Sequence, residues 1–146
     1  MASFLDSRLV KPQALTYYAN QVKRLGRQAG ATVQIVQAQE GGRVFFLAGI
    51  NSSARWSEKQ LALLASWGVA VAPTNFPGKI TLELGGDLHA EENMAMYLDS
   101  IGAKGLRWSR AVVGAHYDTK SGSRSYVCAN CRALVQRVGG AIEPPF

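Results

Sequence analysis

The chain has 146 residues, 47% of them apolar and 18% charged, a balance that suits one globular domain (1–146) with a core of its own. No apolar run is long enough to span a membrane, and the start, "MASFLDSRLV", lacks the basic-then-apolar layout of a secretory signal, so neither a membrane protein nor an exported precursor is expected. Sixteen Lys and Arg against ten Asp and Glu leave a net charge of +6, spread from Arg8 to Arg137, which fits a polyanionic partner such as nucleic acid as well as it fits plain solubility.

Pro12 opens a helical pattern that runs to about Ala29. Leu15, Tyr18, Ala19, Val22 and Leu25 recur at helix spacing, and Gly30 stops it. "TVQIV" (Thr32 to Val36) and "RVFFLAGI" (Arg43 to Ile50) read as strands, and Glu40-Gly41-Gly42 between them predicts an antiparallel hairpin. Ser57 reads as a helix N-cap, with Gln60 completing a capping box and Trp56 and Leu61 spaced for a hydrophobic staple; the helix should run to about Trp67 and end at Gly68. Pro73, Pro77 and Gly78 make the next stretch mostly loop, with "KITLEL" (Lys79 to Leu84) as a short strand. A helix carrying "HAEEN" (His89 to Asn93) follows, then a strand at "LRWSRAVVGA" (Leu106 to Ala115) and a polar loop from His116 to Ser125. The chain closes with a helix carrying Cys128 and Cys131 and a short segment from Ala141 to Phe146. Hairpin, helix, strand, helix, strand predicts an α/β layered domain, a mixed sheet flanked by helices.

Two of these helices share a feature. In the first, Met94, Ala95, Leu98 and Ile101 form the apolar stripe, and extending it backward lands on Glu91. In the second, Leu134, Val135 and Val138 form the stripe, and extending it backward lands on Cys131 and Cys128. A carboxylate and two thiols are thus turned inward at helix starts. A disulfide between Cys128 and Cys131 would close only a small redox loop; reduced thiols ready for a metal are the better expectation. An inward Glu is costly unless it is partnered or neutralised. One metal ion between the two helix starts, held by His89, Cys128 and Cys131, supplies a reason, and thiolates with imidazole select zinc. A structural zinc takes four protein ligands, and His116 is the only obvious spare. Three ligands leave a position for water, with Glu91 beside it to carry protons.

His89-Ala90-Glu91, a gap, then Cys128-Ala129-Asn130-Cys131 resembles the signature of the zinc-dependent cytidine deaminase-like superfamily. The resemblance covers the order of elements from the hairpin to the second motif helix. It implies the deaminase-like α/β/α fold, Zn2+ as cofactor on His89, Cys128 and Cys131, and Glu91 as the acid/base. Asn51, just after "VFFLAGI", is similar to the asparagine that the family places at the end of its second strand to touch substrate. Ser125, three before Cys128, resembles the Ser or Thr of the family's Ser/Thr-x-Pro-Cys motif, and Ala90 lies inside the motif as a further substrate contact. Val127 stands where the family usually has proline, a residue that pre-sets the helix's first turn and ligates nothing. "HAEEN" with this variant cysteine motif in a basic domain looks most like the deaminase domains of bacterial polymorphic toxins. Such a domain acts in the cytoplasm of a target cell and meets a cognate immunity protein.

The loop "HYDTKSGSRSY" mixes His116, Tyr117, Lys120, Arg124 and Tyr126, and cations beside aromatic rings suit single-stranded nucleic acid. Deamination of cytosine to uracil in single-stranded DNA is the function this implies. RNA, double-stranded DNA, a free nucleotide or adenine as substrate remain alternatives, as does a non-catalytic zinc-stapled module that binds nucleic acid or a partner protein.

Overall fold

In the computed structural model, which describes residues 10–26, 31–51, 54–74, 90–109, 112–113 and 141–142, the hairpin forms as its turn residues predict. β1 (Thr32–Glu40) and β2 (Arg43–Ile50) pair antiparallel, from Val33 opposite Ile50 to Glu40 opposite Arg43. Gly41 takes a positive φ of 62° in the turn, a conformation that glycine adopts without a Cβ penalty. Arg43 closes the hairpin with an ion pair to Glu40 at 3.0 Å and lies over the Phe45 ring. β1 is longer than "TVQIV" because pairing with β2 carries it through Gln37, Gln39 and Glu40. Tertiary pairing outweighs the weak strand preference of those side chains.

Both faces of the hairpin are covered. Val33, Ile35, Phe46 and Ala48 pack with Leu15, Ala19 and Val22 of α1 (Pro12–Arg24) and Leu64 of α2 (Glu58–Ser66). Val36, Ala38 and Leu47, one residue out of phase, pack with Met94, Ala95 and Leu98 of α3 (Ala90–Ser100). The period of two along each strand thus separates a two-helix layer from a one-helix layer.

α1 ends five residues before the expected point, and its junction with α2 gives the reason. The Leu25 and Gly26 amides turn back to Val22 and Lys23. The buried Gln60 side chain donates to the Val22 carbonyl at 3.0 Å, and the Ser57 hydroxyl donates to the Leu25 carbonyl at 3.0 Å. Gln60 also closes the predicted capping box, accepting from the Ser57 amide while its own amide donates to the Ser57 hydroxyl. One cap therefore serves two helix ends, and the positive N-terminus of α2 meets the negative C-terminus of α1. A Cβ on Gly26 would come within 2.5 Å of the Gln60 amide nitrogen, so glycine lets that side chain through. Of the two residues expected as a staple, Leu61 is 42% exposed, and Trp56 packs against Ala31, Ile50 and Ala54.

After Gly68, at a φ of 75°, a two-residue strand β3 (Ala70–Val71) pairs parallel with β2. The Pro-rich reading of this stretch did not anticipate it. "KITLEL" and the helix expected to carry the cysteines lie outside the described residues.

The strand expected at Leu106 to Ala115 forms in two pieces, β4 (Lys104–Trp108) and β5 (Val112–Val113), both antiparallel to β1. Lys104 opposes Gln39 and Val113 opposes Thr32, so nine steps on one side match seven on the other. The two extra residues enter as irregularities. One is a register shift opposite Gln37 and Ala38, and the other falls in the break around Ser109. β6 (Ala141–Ile142) pairs parallel with β4, giving the order β3-β2-β1-β4-β6 with β5 also beside β1. Among the described strands β1 alone runs opposite to the rest, so the C-terminal ends of the others collect along one edge. Among the described residues no helix is long and apolar enough to cross a membrane.

Replacing Gln60 by Leu removes two bonds at once and is expected to lower stability by about 1–3 kcal/mol in urea unfolding. Lys23, in the last turn of α1, has its pKa lowered from 10.5 by burial. The unfolded chain then binds more protons between the two values, so this lysine's burden on stability is full at neutral pH, fades as pH rises through the lowered folded value and is gone above 10.5. Lys23→Met should therefore raise the thermal midpoint at pH 7, with the gain shrinking in alkali.

Candidate functional site

The first turn of α3 is buried on every side: Ala90, Glu91, Glu92 and Asn93 are all inside, and Glu91 is only 3% exposed. Glu91 is inward as its place on the apolar stripe predicts. The burial of Glu92 and Asn93 is not readable from periodicity, because it comes from cover over the whole turn and not from one helix face.

Two contacts hold this turn against the end of β2. Asn93 donates from Nδ2 to the Ile50 carbonyl at 2.9 Å. Met94 lies against Gly49, where a Cβ would come 2.5 Å from the Met94 Cγ and 2.8 Å from its sulfur. Glycine in a strand interior commonly marks such a close approach. The other end of α3 leads through Gly102, at a φ of 72°, into Lys104, which pairs with Gln39 far along β1. α3 thus runs antiparallel to β2, its first turn at the C-terminal edge of the strand.

That direction brings Glu91 toward Asn51. From Met94 to Glu91 is about 4.5 Å along the helix, and from Gly49 to Asn51 is about 7 Å along the strand in the same direction. Asn51 is 7% exposed, and its Oδ1 accepts from the Thr32 amide at 2.8 Å. This bond extends the hairpin one step beyond the last pair, Val33 with Ile50. The chain leaves β5 at Val113 beside Thr32, at the same edge.

The sheet beneath this corner carries a second polar group. Ser109 sits where β4 and β5 part. Its amide donates to the Ile35 carbonyl at 2.9 Å, and its hydroxyl accepts from the Ile35 amide at 3.0 Å. A side chain thus substitutes for a lost ladder bond. The Ser109 carbonyl accepts from Nε2 of Gln34 at 2.7 Å. Neither Gln34 nor Ser109 was singled out in the sequence, and a polar residue inside a strand that both faces bury is the one signal that pointed to them.

Of the residues expected at a site, the structure brings Ala90, Glu91 and Asn51 to one corner. His89, His116, Ser125, Tyr126, Cys128 and Cys131 lie outside the described residues. Among the described residues no three His, Cys, Asp or Glu side chains gather as a metal site; the three expected zinc ligands all belong to the others. Compared with known proteins, the chain matches no family model, no curated protein and no solved structure.

Asn93→Ala should cost about 1–3 kcal/mol, since it removes a buried bond to the strand end. Gly49→Ala should cost a similar amount by forcing Met94, and α3 with it, away from β2. Chemical unfolding of both variants measures this, and a variant within 0.3 of the wild-type free energy (about 0.3 kcal/mol, the usual additivity error) would rule out the clamp.

Proposed function

We propose that the chain is a zinc-dependent hydrolytic deaminase with a cytidine deaminase-like fold, converting cytosine to uracil in single-stranded DNA. The observation that carries this reading is the buried Glu91, in the first turn of α3 at the C-terminal edge of a mixed sheet, beside Asn51. In open α/β sheets that edge is the usual place for a ligand. A carboxylate kept inside a helix start also suits a proton carrier better than a surface salt bridge.

In sequence His89 immediately precedes Ala90, the first residue of α3, and stands two before Glu91. With Cys128 and Cys131 it would hold the zinc; nitrogen and thiolate donors are the set that zinc prefers. The bound metal would supply a hydroxide nucleophile at neutral pH. The chain's own work is proton movement and positioning. Glu91 takes one proton of the attacking water and gives it to the ring nitrogen of cytosine, then moves the proton of the new C4 hydroxyl to the departing amine, so that water and cytosine yield uracil and ammonia. Burial of the whole first turn keeps bulk water from the carboxylate. Asn51, whose Oδ1 accepts from the Thr32 amide, is the proposed contact with the nucleoside.

The surplus of positive charge supports a polyanionic substrate, and His116, Ser125 and Tyr126 are the further contacts proposed along a single strand. By its resemblance, the domain would act as a bacterial toxin in the cytoplasm of a target cell and be checked by an immunity protein.

Glu91→Gln is the decisive variant. It should keep zinc and fold while ammonia release from a cytosine-containing strand falls by at least about a hundredfold. Sequencing DNA and RNA from expressing cells should show C-to-T changes in DNA. Full function in Glu91→Gln, with four protein ligands on the zinc, would establish a non-catalytic module instead.

A further inference from the structure

Gln34 is fully buried on β1, and the proposed reaction gives it no part. Its Nε2 donates to the Ser109 carbonyl at 2.7 Å. That bond fixes which way the amide faces, since the flipped amide would set oxygen against oxygen. The carbonyl Oε1 is then buried with no hydrogen-bond partner among the described residues. Buried acceptors are nearly always satisfied, and an exception calls for a donor that arrives from elsewhere.

Its place in the sheet says where that donor comes from. Gln34 shares its strand face with Val36 and Ala38, the face that α3 covers. It lies opposite Gly49, whose lack of a side chain lets Met94 rest against the strand beside it. Two rows further toward the sheet edge, past Val33 and Ile50, come Thr32 and Asn51, joined through Asn51 Oδ1. One turn further along α3 comes Glu91. Gln34 therefore stands two rows inside the corner that Asn51 and Glu91 make, on the same face of the sheet.

We propose that the Gln34 carbonyl is a specificity-determining contact of this corner, accepting a hydrogen bond from the exocyclic amino group of the target base. The inference rests on the deaminase reading above and adds to it a residue that tells substrate from product. Cytosine presents an N–H donor at the reacting carbon, and deamination replaces it with a carbonyl acceptor. An acceptor fixed by Ser109 attracts the first and opposes the second. It would hold the base before reaction and help to release it afterwards.

The test uses the full chain with Glu91→Gln, so that bound strand is not consumed. Binding of a thymine strand with one cytosine is compared with the same strand carrying one uracil, by fluorescence anisotropy. The cytosine strand should bind about tenfold more tightly. Adding Gln34→Met should bring the ratio near one, through weaker binding of the cytosine strand and equal or tighter binding of the uracil strand, while zinc content stays as it was. A merely structural Gln34 would lower the unfolding midpoint and leave the ratio alone, and that result overturns the proposal, as does the lack of any preference in Glu91→Gln. If the methionine variant does not fold, Gln34→Asn withdraws the carbonyl by one methylene and is expected to abolish the preference in the same way. An otherwise unchanged chain that binds zinc but releases no ammonia from any cytosine strand overturns the deaminase reading and this inference together. A working deaminase whose preference survives in the Gln34 variants overturns the Gln34 assignment alone.

Discussion

A helix start with two carboxylates in its first turn is held inside the protein, against the end of a strand. Removing such groups from water is unfavourable, so the arrangement persists only if the surrounding structure over-determines it. The over-determination is visible from three directions. Asn93 ties the turn to the Ile50 carbonyl, Met94 seats it on a residue without a side chain, and Leu98 and Ala95 anchor the rest of the helix on Val36 and Leu47. None of these contacts would place the turn if β2 ended elsewhere, and Asn51 fastens that end to Thr32. The position of Glu91 is therefore a property of the hairpin as much as of its own helix.

Two further helices support that hairpin from its other face. α1 and α2 lie on the opposite face, and their shared cap through Gln60 and Ser57 joins them end to end. The joint ties polar groups of the two helix termini to each other. Tyr18 continues the joint as an aromatic contact, with its ring edge-on to Trp67 at the far end of α2.

What could be read from the chain divides by distance along it. Local chemistry was legible: the turn glycines of the hairpin, the capping box at Ser57, the stop at Gly68 and the inward face of Glu91 all follow from spacing within a few residues. Long-range effects were not. The last turn of α1 is cut short by a side chain 36 residues beyond Arg24, as the numbering of Gln60 shows. β3 owes its existence to the exposed edge of β2, and its own two residues carry no signal that a Pro-rich loop would not. The break between β4 and β5 was hidden because both pieces are apolar and share a strand's pattern. It is visible only in register, against β1. The site was half legible for the same reason: Glu91 and Asn51 stand out as residues, while Asn93 and Gln34 matter only through partners 43 and 75 positions away.

The two buried glutamines of β1 make the contrast between the faces concrete. Gln37 lies on the α1 side, and its carbonyl accepts from the Val10 amide at 2.7 Å, stitching the chain before α1 to the central strand. Gln34 lies on the α3 side and uses its other end, the amide nitrogen, to stitch Ser109 to the same strand. Both fasten a segment that lies outside the regular ladder, and both do so where an apolar strand residue would pack as well. The difference is in what remains. A carbonyl that accepts from a backbone amide has done its work within the fold. An amide nitrogen that donates to a backbone carbonyl leaves an oxygen still to be matched, and β1 leaves it on the face where the helix start, the strand end and the outgoing chain at Val113 come together. Bulged pairing at that point increases local twist and re-aims side chains, which is a common feature beside sites that bind. On the face that only needs to be stable, the polar side chain is closed; on the face proposed to do chemistry, it is left with one acceptor to spare.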